Sequence, residues 1–130
     1  MVTIAHLRRR RRRLEWALLA CALMALVAQE YLNDGGSITL TSGIVAEHPI
    51  RFGAAASMTN AAVEGFVRGA AIELARGVRI NVVSPTVLAE SLESYGPFFY
   101  GFEPAAASRV ALAYSRSVEG AQTGQVYKVW

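Results

Sequence analysis

Two short runs of β-branched and apolar residues, separated by one long helical pattern, constrain the fold of this chain more than any other feature. The first run is Ser37 to Thr41, entered from a Gly-Gly turn, and the second is Val78 to Val83. Between them, from about Ala56 to Ala75, apolar residues recur at helical spacing until Gly77 ends the pattern. A strand, a long helix and a second strand with short links form a right-handed crossover between parallel strands. The sequence therefore predicts an α/β protein with a parallel sheet.

The rest of the chain is predicted to extend this sheet. Ser84-Pro85 is expected to close the second strand, because proline cannot donate to a central ladder. The stretch from Leu88 to Ala107 is typical of a loop; a short helix from Ala105 to Arg116 and a last strand from Gln125 to Trp130 follow. The loop is rich in aromatic residues, which favours either a lid over a site or a cover for the sheet edge. The aromatic residues are Tyr95, Phe98, Phe99, Tyr100 and Phe102.

Small residues recur every four positions along the long helix. Ser57, Ala61, Gly65 and Gly69 form a smooth stripe at which another backbone can approach closely. Because an interior glycine costs up to about 1 kcal/mol relative to alanine, we interpret the stripe as a packing surface. It would pack against the sheet or against a second copy of the chain.

The N-terminal segment is open to two interpretations. Six arginines precede an uncharged apolar run from Trp16 to Ala28, which is the layout of a secretory signal. The alternative is an apolar helix from about Leu14 to Leu32, which other elements must cover on every side. We favour the helix, because Leu26 would stand at the third position before a cut after Ala28, and because a membrane span needs roughly 20 residues. Residues 1–13 then form an arginine-rich arm and residues 14–130 the folded domain.

Charge and ligand-forming residues exclude several classes of function. Arg8 to Arg13 hold six of the 13 basic residues, so the rest of the chain has seven basic against 10 acidic side chains and no basic face for nucleic acid. Cys21 is the only cysteine, which leaves no disulfide and favours a reduced, cytoplasmic setting. His6 and His48 lie far apart without further ligands at metal spacing, so no metal site is expected.

The order of these pieces resembles the C-terminal portion of the short-chain dehydrogenase/reductase family over about Leu14 to Trp130. Gly36 to Ser42 is similar to the family's fifth strand, which ends in its catalytic serine. Ala61 to Phe66 resembles the helix after the catalytic lysine, and Arg79 to Pro85 resembles the sixth strand and the start of the loop over the nicotinamide. Thr123 to Val126 is similar to the run into the seventh strand. The resemblance implies a partial Rossmann-like, doubly wound parallel sheet, its C-terminal half, with long helices packed on it.

The resemblance also implies which site residues are kept and which are lost. Family members use a tyrosine as acid/base and a lysine four residues later, and these positions hold Ala56 and Asn60 here. Alanine has no proton to transfer and asparagine no charge to depress a neighbour's pKa, so the family's proton relay is not expected to run. Ser42 is the one remaining candidate catalytic residue, either orienting a substrate or serving as a plain strand-end hydroxyl. Asn60 and the Pro85-Thr86-Val87 turn are expected to line a site for NAD or NADP.

Three functions follow from these patterns. The first is an NAD(P)-dependent oxidoreductase of the family, truncated and catalytically impaired, because the glycine-rich turn that cradles the pyrophosphate would lie before the start of this chain. Its small-molecule substrate is unassigned. The second is a non-catalytic module that forms homo-oligomers through the helices at 14–32 and 56–75. The third is a small membrane-targeted protein that uses the arginine run and the apolar segment as a signal or anchor.

Overall fold

A computed structural model of the protein describes residue 20 and residues 22–130. The predicted arginine-rich arm, the first part of the apolar segment and Cys21 lie outside the described residues. The strands are β1 (Ser37–Thr41), β2 (Arg79–Pro85) and β3 (Val126–Val129). The helices are α1, described over residues 22–31, α2 (Ala54–Ala70), α3 (Leu92–Tyr95) and α4 (Ala107–Glu119).

The three described strands form one parallel sheet in the order β1-β2-β3. In the first pair, Ser37–Thr41 lies in register with Arg79–Val83. In the second pair, Val82–Pro85 lies in register with Val126–Val129. Helix α2 connects β1 to β2, which confirms the predicted parallel sheet and its helical crossover.

Apolar residues cover both faces of the sheet, because successive strand residues point to opposite sides. Val82 joins a core on the side of α2, whereas its neighbour Val83 joins a core on the side of α4. The buried residues of the first core are Ala25, Val63, Val67, Ile80 and Val82. Those of the second core are Val83, Ala105, Val110, Tyr127 and Val129.

The link between α2 and β2 differs from its prediction at both ends. Helix α2 ends at Ala70 and gives way to turns, and Arg76 and Gly77, with φ of 57° and 69°, then reverse the chain before β2. Strand β2 continues to Pro85 rather than ending before it. The proline is tolerated at this last position because its missing N–H would face the side of β1, which has already ended at Thr41. The pairing with β3 continues through Thr86, whose N–H donates to the carbonyl of Val129 at 3.1 Å.

The segment between β2 and α4 also holds more structure than a plain loop. It contains α3 and short 3₁₀ turns, and a parallel bridge joins Leu88 to Ala105. Since Ala105 is engaged in this bridge, α4 begins only at Ala107 and runs to Glu119, later than predicted.

The small-residue stripe of α2 faces away from the sheet. Gly65 and Gly69 are exposed, and a Cβ placed on either would meet no atom within 4 Å. The side of α2 that packs on the sheet carries Val63 and Val67 instead. The interpretation that the stripe packs against the sheet is therefore wrong.

In the part of the chain that the structure describes, no helix is both long enough and apolar enough to cross a membrane. No group of three or more histidine, cysteine and acidic side chains there is placed to hold a metal ion.

Candidate functional site

The predicted site residues meet where β1 and β2 end. Ser42 directly follows β1, and its N–H donates to the carbonyl of Val83 in β2 at 2.9 Å. At the next residue, a Cβ on Gly43 would lie 3.5 Å from the carbonyl oxygen of Pro85 and 3.7 Å from Oδ1 of Asn60. Gly43 therefore lies within van der Waals reach of both β2 and α2. Ligands of open α/β sheets bind at this carboxyl edge.

Ser42 forms the most buried side-chain contact of this site. Its Oγ donates to Oε1 of Glu64 on α2 at 2.8 Å, and both residues are buried. The other oxygen of Glu64 lies 4.0 Å from the guanidinium of Arg68, one turn further along the helix. A hydrogen bond to a buried carboxylate is a strong, oriented contact. It fixes where the hydroxyl hydrogen of Ser42 points.

The sequence prediction did not include Glu64 among the site residues. A signal for it exists, since Glu64 lies between Val63 and Val67 on the side of α2 that faces the sheet. A charged residue in the buried stripe of an amphipathic helix is uncommon unless it has a partner. The partner, Ser42, is 22 residues away along the chain and becomes evident only in the folded structure.

Asn60 and Ala56 occupy one side of the site, near the start of α2. The Nδ2 of Asn60 donates to the carbonyl of Ala56 at 2.7 Å, and its Oδ1 is turned toward Gly43. The single lysine of the chain, Lys128, forms a 2.7 Å ion pair with Glu47. The family resemblance assigns tyrosine and lysine to positions 56 and 60. These positions carry the methyl group of Ala56 and the amide of Asn60.

Thr86 and Val87 continue the site beyond β2, and both are buried. The carbonyl of Val87 accepts from the N–H of Ala105 at 3.0 Å. The Oγ1 of Thr86 is buried and has no hydrogen-bond partner among the described residues, and the same holds for the Oγ of Ser57. An unpaired buried hydroxyl costs free energy and calls for a partner from a ligand or water.

A cleft of about 320 Å³ lies beside this edge of the sheet. It is formed by the loop after β1, the segment after β2 and the residue after β3, and its walls are mostly apolar. The ring of His48 meets that of Trp130 edge to face at 5.0 Å. The lining residues are Ile44, His48, Gly101, Phe102, Glu103 and Trp130. Of the predicted lid aromatics, Phe102 lines the cleft, whereas Tyr95 and Tyr100 are exposed.

Comparison with known proteins places these features in a family. Residues 7–127 match the sequence family described as enoyl-(acyl carrier protein) reductase. The crystal structure of the protein lin1944 from Listeria innocua is 53% identical, over 82% of this chain and 54% of that one, with a TM-score of 0.81. A small-chain dehydrogenase in complex with NADPH is 25% identical, over 98% of this chain and 63% of that one, with a TM-score of 0.79. Another small-chain dehydrogenase is 29% identical over 98% of this chain, with a TM-score of 0.76.

Each match covers a larger share of this chain than of the solved structure. The chain spans between 54% and 63% of the length of the three solved structures. A comparison with curated protein sequences gives no significant match.

Proposed function

Since this chain belongs to the short-chain dehydrogenase/reductase family of oxidoreductases, we propose that it binds the nicotinamide end of NAD or NADP without completing the family's proton relay. The observation that carries the proposal is the convergence of Ser42, Asn60 and Pro85 around Gly43, with alanine at position 56. The cofactor would be held by Asn60 and by the turn that follows β2. We further propose a cytoplasmic setting, which the lone cysteine favours.

The fit of these residues to a nicotinamide rests on the hydroxyl of Thr86. This side chain is buried and unpaired at the carboxyl edge of the sheet, so a carboxamide placed there would give it an acceptor. The backbone of Pro85 and Val87 would flank the ring, and Oδ1 of Asn60 would accept from a ribose hydroxyl. The bound nicotinamide would supply the hydride chemistry.

Proton transfer is the step that this site does not support. General acid–base catalysis by a positioned side chain contributes typically about 10²- to 10⁴-fold to a rate. Ala56 has no exchangeable proton, and the proton of Ser42 is directed to Glu64 rather than outward. We therefore expect cofactor binding with little or no turnover.

Binding of the cofactor can be measured directly on the full chain. We expect NADH or NADPH to bind detectably by saturation-transfer NMR or fluorescence. Thr86→Val should weaken this binding about fivefold to tenfold, because a net hydrogen bond contributes roughly 1 kcal/mol. The same change should leave the thermal stability of the free protein unchanged or slightly raised, since it removes an unpaired buried hydroxyl.

A matched control separates this effect from a general effect of threonine replacement. The hydroxyl of Thr59 donates to the carbonyl of Ala55 within α2 at 2.9 Å, on the exposed side of the helix. Thr59→Val should therefore bind the cofactor like the wild type. A folded wild-type protein that binds neither NADH nor NADPH would overturn the proposed function.

A second role, homodimerisation, is favoured by the exposed apolar surface of α1 and α2. Met24 and Val27 of α1 are 63% and 56% exposed, and Met58 of α2 is 52% exposed. The outward stripe of α2, with Gly65 and Gly69, adds a smooth surface on the second helix. Large exposed apolar side chains that cluster on a surface mark interaction sites. We propose that a second copy of the chain covers it.

Gly65→Gln tests the homodimer without damaging the monomer. A side chain at position 65 meets open space within one chain, and replacing a helix-interior glycine should raise monomer stability by up to about 1 kcal/mol. In a dimer the same side chain would obstruct the contact. Light scattering should give about twice 14.0 kDa for the wild type and the monomer mass for the variant. Ala111→Gln on exposed α4 is the control, and a monomeric wild type would contradict the proposal.

A further inference from the structure

Strand β3 forms an open edge of the sheet. Among the described strands it pairs with β2 only, because their order is β1-β2-β3. The carbonyls of Gln125 and Val129 face β2, where they accept backbone N–H groups at 2.9 and 3.1 Å. Since the backbone groups of alternate residues point to the same side of a strand, those of Val126 and Lys128 point to the open side. Such an edge is a template for pairing with another extended chain.

A groove of about 410 Å³ runs along this edge, between β3 and helix α4. Arg109, Leu112 and Arg116 share one face of α4 and line it together. Residues seven positions apart on a helix are separated by about 10 Å, so the two arginines lie toward opposite ends of the groove. Leu112 lies between them and is 71% exposed. The wall that α4 contributes is therefore cationic at both ends and apolar in the middle.

The charge of the groove is positive and is not compensated from within it. Arg109 and Arg116 are exposed, and no acidic side chain of the described residues lines the groove. The guanidinium of Arg116 donates to Oε1 of Gln122 at 3.0 Å and lies 4.9 Å from the centre of the Tyr127 ring. These neutral partners hold the guanidinium in place without cancelling its charge. The groove therefore favours an anionic ligand.

The open edge decides between a peptide and other anionic ligands. It offers both N–H donors and carbonyl acceptors, and a second extended peptide chain satisfies both kinds of group. A chain of phosphates would only accept hydrogen bonds, so it would leave the carbonyls of the edge without partners. A second copy that paired its β3 with this one would bring two positively charged grooves together, which is unfavourable.

We propose that this groove binds an extended acidic segment of a partner protein, which adds as a further strand beside β3. Its backbone would pair with Val126 and Lys128, and every second side chain would face α4. Two acidic residues four positions apart in a strand span about 13 Å, which the flexible side chains of Arg109 and Arg116 can match. The residue midway would meet Leu112. The groove thus predicts the pattern acidic-x-apolar-x-acidic, and it uses none of the residues proposed to hold the cofactor.

Four short peptides test the charge and the added strand separately on the full chain. The parent is Thr-Glu-Thr-Leu-Thr-Glu-Thr, and the second peptide has glutamine in place of both glutamates. The other two carry N-methyl groups on alternate amides, so that each blocks one edge of the peptide strand. NMR titration of the isotope-labelled chain measures all four, and the amide signals of Val126 and Lys128 should shift with the parent.

The expected order of affinity follows from the contacts that each peptide loses. The glutamine peptide should bind about fivefold to tenfold more weakly than the parent, because it forms no ion pair with either arginine. One N-methylated peptide should bind at least about tenfold more weakly, and the other within about twofold of the parent. Only one edge of an added strand faces β3, so only one set of methyl groups blocks the pairing.

Arg109→Gln tests the contribution of the protein's own charge. This exposed side chain can be replaced without disturbing Gln122, which Arg116 holds. The variant should bind the parent peptide about threefold to fivefold more weakly and the glutamine peptide as the wild type does. Arg51→Gln is the matched control, because Arg51 is exposed in the loop before α2 and does not line the groove. It should keep the wild-type affinities.

Several results would overturn the proposal. The first is a parent peptide that shifts no signal of β3, and the second is a pair of N-methylated peptides that bind equally. Equal binding of the parent and glutamine peptides would show that the groove does not select acidic residues. An oligonucleotide that binds the groove more tightly than the parent peptide would assign it to nucleic acid. Signals of Val126 and Lys128 that move on dilution of the chain alone would assign the edge to a second copy.

Discussion

Asn81→Leu should lower the free energy of unfolding by about 3 kcal/mol. Asn81 is fully buried in β2, where its Nδ2 donates to the carbonyl of Gln122 and its Oδ1 accepts from the N–H of Gln125, both at 2.9 Å. Leucine has a similar size but leaves the part-buried carbonyl of Gln122 and N–H of Gln125 without their side-chain partner, at roughly 1–3 kcal/mol each. A loss of about 3 kcal/mol or more is large against the roughly 5–15 kcal/mol that holds a typical domain together.

Urea unfolding followed by circular dichroism measures this loss. Asn33→Leu is the matched control, because the side chain of Asn33 is exposed in the turn before β1, and it should change the free energy of unfolding by no more than about 0.5 kcal/mol. An unchanged midpoint for Asn81→Leu would show that the side chain does not join β2 to the turn before β3. A reduced slope would instead indicate a less compact native or denatured state.

The contacts of Asn81 illustrate what sequence patterns can and cannot predict in this fold. The bounds of β1 match the predicted run of Ser37 to Thr41, since a short β-branched run after a Gly-Gly turn is a local signal. The bonds of Asn81 reach more than 40 residues along the chain. Such contacts depend on which strands become neighbours, and an asparagine inside an apolar run does not indicate its partners.

The ends of helices likewise depend on contacts between residues that are distant in the sequence. The guanidinium of Arg79 in β2 donates to the carbonyls of Val118 and Ser117 at 3.0 and 3.2 Å, and also to that of Gly120. It therefore satisfies carbonyls at the end of α4 that have no partner within the helix. This contact accompanies the continuation of α4 to Glu119, beyond the predicted end at Arg116. Periodicity predicts that a helix exists, whereas its last turn depends on the groups that tertiary structure brings to it.

For the candidate site, the sequence predicts where the site residues lie better than it predicts their hydrogen-bond partners. The rule that chemistry gathers at the carboxyl ends of parallel strands predicts Ser42 and the Pro85-Thr86-Val87 turn at one edge, where the structure places them. It does not predict that Glu64 takes the hydrogen of Ser42, or that Thr86 is left without a partner. Both details depend on which side chains the fold brings together, and the sequence alone does not reveal them.

Restoring the family's acid/base pair should turn this site into a working reductase site. In Ala56→Tyr combined with Asn60→Lys, the two new side chains lie one helical turn apart, as the bond from Asn60 to the carbonyl of Ala56 shows for the native pair. Ala56 is half-buried, so a ring introduced there is not enclosed on every side. The ammonium should hold the pKa of the introduced phenol well below its usual range, because a nearby cation favours the phenolate.

Two measurements test this restoration, and the first needs no knowledge of the substrate. Ultraviolet titration should show a phenol in the double variant that ionises at lower pH than the one in Ala56→Tyr alone. The double variant should also oxidise NADPH with a panel of small ketones about 10²- to 10⁴-fold faster than the wild type, the range that a positioned proton donor contributes. Ala56→Phe with Asn60→Lys keeps the ring and the charge but lacks the phenolic hydroxyl that would donate the proton, so it should stay at the wild-type rate. Identical phenol titrations in the single and double variants would mean that positions 56 and 60 do not face a common site, and the assignment of Ala56 to the tyrosine position would then be wrong.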